Sequence, residues 1–180
     1  GASGSNLQTL IFNTAEDGVS GTVAGNIGKL GIDTALSALE QAKAIRTLAE
    51  RHFLNSPIRG SFVVDDARRF VRTTTQRFAA VVVDVYNSHT SIPGHLVTQE
   101  FWADTRRTLA PGGVLLINLI LDSQLQSAYA RNLLATIESV YGRCGVEVLH
   151  KTRPQSNVIV SCHASGHPNP GTPYTDERNT

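Results

Sequence analysis

Acidic residues follow two apolar runs of the sequence, where they could place carboxylates in a ligand site. Asp65 and Asp66 come directly after the run at 62–64, and Asp84 ends the run "AAVVVD". In an open parallel sheet, ligands bind beyond the carboxyl ends of the strands. Carboxylates there can accept hydrogen bonds from ribose hydroxyls or an exocyclic amine, and they attract cationic substrates. Glu40 is a third candidate of this kind.

A structural role competes with ligand binding at Asp65 and Asp66. Asp is favoured at the N-cap and in the first turn of a helix, so both residues could cap a helix at 67–73. The sequence leaves these two roles open. Asp84 differs because it precedes the long loop "VYNSHTSIPGHL", and loops at strand ends often carry functional residues.

The pattern from residue 62 onward predicts the elements that would position these acids. Short runs rich in β-branched residues alternate with longer amphipathic stretches, which indicates βαβ units around a mostly parallel sheet. "AAVVVD" and "VLLINLIL" are apolar without alternation, which is typical of central strands covered on both faces. "APGG" predicts the end of a helix before the next strand. The predicted strands are 62–64, 79–84, 114–120, 146–150 and 157–162, and the predicted helices are 67–73, 97–109 and 127–141.

The segments at the two ends are less regular. "LQTLIFN" at 7–13 predicts a first strand, and a Gly-rich turn follows at 14–31. Residues 33–54 fit either one long helix or a strand to about Glu40 followed by a helix, and periodicity does not choose between them. The tail from Ala164 is rich in Pro, Gly and polar residues, which predicts irregular structure.

Composition indicates one folded domain without a polyanionic partner. The chain has 180 residues, 41% hydrophobic and 17% charged, with a net charge of +1. This balance gives no reason to expect nucleic acid binding. No apolar run approaches the roughly 18 residues of a membrane span, so membrane insertion is not expected.

The cysteines and histidines give weaker signals. Cys144 and Cys162 are too few for a disulfide framework and are compatible with a reducing compartment, which predicts a cytoplasmic protein. "CHASGH" at 162–167 lacks a second ligand pair at metal-like spacing, so no metal is expected. His89 and His95 flank the loop after Asp84, and either could be a second acid–base group. The arginines of the helix at 67–73 are expected to form a solvated face.

Three segments resemble a known family. "FVVDDARRFV", "FAAVVVDVYNSHTSIPGHLVTQEFWADTRRTLAPGGVLLINLI" and "PYTDERN" are similar to the spermidine synthase (polyamine aminopropyltransferase) family, from about residue 44 to about residue 178. The resemblance implies an α/β fold, the Rossmann-like class I S-adenosylmethionine-dependent methyltransferase fold, with an atypical N-terminal part. It implies a spermidine synthase-like domain at 1–163, divergent over 1–43, and an irregular tail at 164–180.

The resemblance also implies roles for individual residues. Asp66 matches the acid of the family's "GDA" motif, which contacts the adenine amine. Asp84 matches the first acid of its D-x-x-D loop, where it would take a proton from an attacking amine. The acid that holds the ribose hydroxyls aligns with Glu40. The implied cofactor-binding residues are Gly18, Gly21, Glu40, Asp65, Asp66 and Ala67, and the implied substrate-binding residues are Tyr86, Asn87 and His89.

The sequence departs from the family pattern in its loops. Asn87 stands where the family has the second acid, and the glycine-rich first loop is represented by "AEDGVSGT", with Gly18 and Gly21. No counterpart of the family's N-terminal β-domain, or of its tyrosine-bearing substrate segment, can be identified.

Two functions follow from this pattern. The first is a transferase that binds S-adenosylmethionine or its decarboxylated form and moves a methyl or aminopropyl group to a small amine or polyamine. The second is a catalytically inactive binding or assembly module with the same fold. A homodimer is expected, because a sheet with a weakened first strand region can be completed by a second copy.

Overall fold

The computed structural model describes residues 9–13, 47, 51–52, 63, 66–85, 92–167 and 174–178. Within these residues the strands are β1 (Thr9–Asn13), β2 (Phe78–Asp84), β3 (Leu109–Asp122), β4 (Gly145–Val148) and β5 (Gln155–His163). The α-helices with described bounds are α1 (Ala67–Thr73), α2 (Gln99–Thr108) and α3 (Ala128–Tyr141). Two short 3₁₀ turns lie at Gly94–Leu96 and Asp176–Arg178.

The strands form one mixed sheet with the order β1-β2-β3-β5-β4. The β1–β2 and β2–β3 pairs are parallel, so the carboxyl ends of these three strands lie at the same edge. The β3–β5 and β4–β5 pairs are antiparallel. The predicted α/β class with flanking helices is confirmed, and the strands that the structure describes form two parallel and two antiparallel pairs rather than mostly parallel ones. A short connection joins β4 directly to β5, and such a connection permits only antiparallel pairing.

Side chains at the helix starts explain why the predicted helices form where they do. Asp66 accepts a hydrogen bond from the backbone N–H of Arg69, and Ser127 accepts one from the N–H of Ala130. Thr98 caps α2 in the same way. Each cap satisfies an N–H group that has no partner within the helix. The prediction for α1 is confirmed residue for residue, and those for α2 and α3 are confirmed to within two residues.

The hydrophobic core lies on one face of the sheet. Leu115, Ile117 and Leu119 alternate along β3 with less buried residues, and all three are almost completely buried. Helices α2 and α3 supply Trp102 and Ile137 to the same cluster. The opposite face of β3 and its neighbours is only partly covered, as the intermediate and exposed residues of the strands show. Only this second face can accept polar side chains without burying them.

The "APGG" segment forms an irregularity between α2 and the regular part of β3. Phe78 pairs with Leu109 and Ala80 with Val114, so the residues between them bulge out of the β2–β3 ladder. Gly112 has a φ of +74°, which favours glycine. The predicted helix end is confirmed, although the strand already begins at Leu109.

A disulfide joins Cys144 to Cys162, with their Cα atoms 4.6 Å apart. The register that pairs Gly145 with Ser161 places Cys144, the residue before β4, next to Cys162 of β5. The sequence did not predict this bond, because the pairing of the two cysteines depends on the β4–β5 register. The two cysteines therefore form a single disulfide rather than a framework of several.

Arg106, near the end of α2, connects three parts of the fold. Its guanidinium donates to the carbonyl of Val140, to that of Ala164 at 3.0 and 3.2 Å, and to that of Gly166 at 2.7 Å. The same group lies 5.9 Å from the centre of the Tyr141 ring. Burial raises the pKa of Tyr141, so its hydroxyl stays protonated. Arg106 thereby fixes the end of α3 against the turn that follows β5.

Some predicted elements fall outside the described residues. The Gly-rich turn at 14–31 and most of 33–54 lie there. Thr47 is helical and residues 51–52 are π-helical. Both predictions for 33–54 have a helix at these positions, so these residues do not choose between them. Of the predicted strand 62–64 only Val63 is described, and it lies outside any strand.

Candidate active site

Asp84 is the last residue of β2, at the edge where the parallel strands end. It lies in register with Asn13, the last residue of β1. Its Oδ1 atom accepts a hydrogen bond of 3.0 Å from Nδ2 of Asn118 on β3. Asp84 is half-buried and the next residue, Val85, is fully buried. The bond from Asn118 therefore holds the carboxylate through one of its two oxygens.

A second hydrogen bond links Asn118 to a third strand. Oδ1 of Asn118 accepts a hydrogen bond of 2.9 Å from Nδ2 of Asn157 on β5. Sequence reasoning missed both asparagines. A signal was present, because Asn118 is the one polar residue in "VLLINLIL". A polar side chain within an apolar strand needs a partner, and here the partner is a candidate catalytic acid.

Asp66 occupies the N-cap of α1, and its two carboxylate oxygens have different partners. Oδ1 accepts the hydrogen bond from the backbone N–H of Arg69 at 2.9 Å. Oδ2 lies 3.3 Å from Nε2 of His95, in the 3₁₀ turn that follows the loop after β2. His95, which lies between β2 and α2 in the chain, is thus beside Asp66.

The environment of Asp66 favours its ionised form. Burial alone would raise the pKa of this carboxyl, but the hydrogen bond to His95 and those from the backbone of Arg69 and Arg68 outweigh it. The charge of His95 acts in the same direction. The pKa of Asp66 is lowered, and its carboxylate is an acceptor at neutral pH.

The C-terminal segment is bonded to the same region. Arg68 pairs with Asp176 and also donates to the carbonyl of His95 at 3.0 Å. The hydrogen bond from Arg68 is the main reason why the pKa of Asp176 is lowered. The prediction that Arg68 belongs to a solvated face is wrong, because its side chain is only 14% exposed. Arg69 and Arg72 are exposed, as predicted.

Comparisons with known proteins extend these observations. No protein-family model matches the sequence. The chain is 27% identical over 146 residues to a polyamine aminopropyltransferase from Vibrio vulnificus, a match that covers 76% of this chain and 47% of that protein. It is 28% identical over 123 residues to a probable polyamine aminopropyl transferase from Bifidobacterium longum, covering 68% of this chain and 27% of that protein. The chain thus spans less than half the length of either relative.

The fold has solved counterparts. A probable spermidine synthase from Corynebacterium glutamicum superimposes with a TM-score of 0.58 at 20% identity, covering 87% of this chain and 57% of that one. A spermidine synthase in complex with the transition state analogue AdoDATO gives 0.55 at 14% identity, covering 96% of this chain and 64% of that one. The chain is thus similar in sequence to polyamine aminopropyltransferases and in fold to spermidine synthases. The class I methyltransferase fold that the resemblance implies is confirmed.

Three of the predicted site residues of this spermidine synthase-like chain are described. Asp66 and Asp84 occupy the positions reported above, and Ala67 is the fully buried first residue of α1. The other predicted site residues lie outside the described residues: Gly18, Gly21, Glu40, Asp65, Tyr86, Asn87 and His89. Their roles stay predictions.

Neither a metal-binding cluster nor a membrane-spanning helix occurs in the described part of the chain. No group of three or more metal-binding side chains is found among them, and Cys162 is bonded to Cys144 rather than available as a ligand. No helix of the described part is long and apolar enough to cross a bilayer.

Proposed function

We propose that residues 1–163 of this spermidine synthase-like chain form the catalytic domain of an aminopropyltransferase. In this proposal an aminopropyl group moves from decarboxylated S-adenosylmethionine to a small amine or polyamine. The observation that carries it is the anchored carboxylate of Asp84 at the end of β2. The sequence similarity to polyamine aminopropyltransferases favours aminopropyl transfer over methyl transfer.

Asp66 and Ala67 offer a hydrogen-bond acceptor and a hydrogen-bond donor for the adenine of such a nucleoside. An adenine amine can donate only to an acceptor, and Oδ2 of the ionised Asp66 is one. Ala67 is fully buried, so it would contribute its backbone N–H at the start of α1 rather than its side chain. That N–H has no partner within the helix. Glu40, Gly18, Gly21 and Asp65 would complete the nucleoside site as the resemblance implies.

Asp84 would act on the amine substrate. When bound, decarboxylated S-adenosylmethionine supplies a sulfonium whose adjacent carbon is open to attack. The amine nitrogen forms a bond to that carbon, the carbon–sulfur bond breaks, and methylthioadenosine leaves. The Asp84 carboxylate attracts the cationic amine and takes the proton that the nitrogen must lose. Tyr86, Asn87 and His89 would line the acceptor side.

Turnover by an Asp84→Asn variant tests this function. The unmodified chain should release methylthioadenosine from decarboxylated S-adenosylmethionine when putrescine or spermidine is present. Loss of a general base reduces rates by about 100-fold or more, so we expect kcat of the variant to fall by that factor. Calorimetry should show that the variant still binds methylthioadenosine, because Asp66 is intact.

Asp104→Asn is the matched control. It removes a carboxylate from α2, where Asp104 pairs with Arg107, and turnover should be unchanged. Equal turnover by the Asp84→Asn variant and the unmodified chain would refute the role of Asp84. An unmodified chain that binds none of the adenosyl nucleosides would refute the function itself.

The cytoplasmic location and the homodimer stay predictions. The Cys144–Cys162 disulfide weighs against a reducing compartment, where such bonds are rare. Sedimentation across a concentration series tests the dimer.

A further inference from the structure

Three polar side chains are connected across three neighbouring strands on the less buried face of the sheet. Asn157 of β5 donates to Asn118 of β3, and Asn118 donates to Asp84 of β2. Asn118 pairs in the ladder with Ile159, whereas Asn157 pairs with Ile120, so the Asn157–Asn118 bond is diagonal. We call these three residues the polar ladder.

Chemistry fixes the direction of both bonds. A carboxylate can only accept, so the side chain of Asn118 must turn its NH₂ group towards Asp84. Its carbonyl oxygen then faces β5, where it needs a donor. Asn157 supplies that donor at 2.9 Å. If Asn157 presented an oxygen instead, the amide of Asn118 would be favoured to rotate and would turn its own oxygen towards Asp84.

The position of Asn118 is unusual for a residue with only a structural task. It interrupts the apolar run of β3, between Ile117 and Leu119, at a half-buried position that an apolar side chain would fill without needing partners. Its amide instead holds Oδ1 of Asp84 at 3.0 Å. This hydrogen bond restricts the rotation of the carboxylate.

We propose that Asn118 is a positioning residue for Asp84, and that Asn157 fixes the amide orientation of Asn118. This inference rests on the proposed function, since it assumes that Asp84 accepts the proton of the amine. The ladder holds one carboxylate oxygen so that the other meets the attacking nitrogen in a single geometry. Small displacements of a reacting group can reduce a rate by about 100-fold.

Asn118→Leu and Asn157→Leu test the ladder. Leu has nearly the shape of Asn, and the less buried face of β3 and β5 already carries apolar residues. We expect kcat to fall by about 10- to 100-fold for Asn118→Leu and by a smaller factor for Asn157→Leu. The KM for decarboxylated S-adenosylmethionine should stay within about twofold, because both variants keep the residues proposed to hold the nucleoside.

A double variant separates positioning from a structural role. If Asn118 acts through Asp84, Asn118→Leu should have little further effect on kcat in the Asp84→Asn background. A structural role would reduce the rate by the same factor in both backgrounds. Ser161→Ala is the control, since Ser161 lies on the same face of β5, pairs with Leu116 and is outside the ladder. It should leave kcat unchanged.

The outcomes distinguish this inference from the proposed function. An unmodified chain that turns over, together with an Asn118→Leu variant whose kcat stays within about twofold, overturns the positioning role and leaves the proposed function intact. Equal effects of Asn118→Leu with and without Asp84 also overturn it. An unmodified chain without turnover overturns the proposed function, and the positioning role is then rejected with it.

Discussion

Asp66 performs two tasks with the two oxygens of one carboxylate. Oδ1 caps α1, whereas Oδ2 faces His95. The capping role is confirmed, and it uses only one of the two oxygens, so the ligand role proposed for Oδ2 does not require the cap to break. A ligand that bonds to Oδ2 would have to share it with His95 or displace the imidazole.

The lowered pKa of Asp66 predicts how stability changes with acid. A carboxyl whose pKa is lower in the folded chain stabilises the fold at pH above its unfolded value of about 3.9, and this contribution is lost as the pH falls through the folded pKa. Asp66→Asn keeps a capping side chain but removes the charge. The unmodified chain should therefore exceed the variant in unfolding free energy by less than about 1 kcal/mol at pH 5, and by progressively less below pH 4.

Urea denaturation at a series of pH values measures this difference. His95→Gln, which removes the partner and keeps Asp66, should weaken the same pH dependence. A difference between the unmodified chain and the Asp66→Asn variant that is constant over the acidic range would contradict the interpretation.

The sequence was sufficient to predict that Asp84 ends a strand, but not which side chains bond to it. Asp84 could be found because it ends an uninterrupted apolar run and precedes a long loop. Asn118 and Asn157 are 39 residues apart in the chain and meet only because β5 lies next to β3. A contact of this kind depends on strand order and register, which a single sequence does not reveal.

At the scale of elements, the sequence predicted where helices begin but not how strands pair. The caps at Asp66 and Ser127 mark helix starts that the structure reproduces. The relative direction of β4 and β5 was harder to predict, because it depends on which strands become neighbours in the sheet, and a single sequence does not give that order. The disulfide depends on that same register.

Ser127→Ala tests how much a cap contributes to this fold. Ser127 accepts the N–H of Ala130 at 3.1 Å, and removing such a cap destabilises a helix by about 1 kcal/mol. We expect the free energy of unfolding, measured by urea denaturation, to fall by that amount. Ser123→Ala is the matched control. Ser123 donates to the carbonyl of Pro154 through its backbone N–H, which this substitution keeps. Equal losses for the two variants would show that the cap is not responsible.

At the scale of the whole molecule, the disulfide closes a loop around β4. Cys144 and Cys162 are separated by 18 residues, and closing a loop of about this size stabilises a fold by about 2–4 kcal/mol. Adding a reductant should lower the free energy of unfolding by this amount. The variant Cys144→Ser/Cys162→Ala should be insensitive to reductant. Two free thiols in the purified, unreduced protein would contradict the assignment.

Arg106 has a consequence for the lifetime of the folded chain. Its carbonyl partners are 34, 58 and 60 residues away in sequence, so its bonds can form only after α3 and β5 have taken their places. Contacts that form after the rate-limiting step of folding act mainly on the rate of unfolding. We therefore expect the variant Arg106→Ala to unfold faster than the unmodified chain and to fold at an almost unchanged rate.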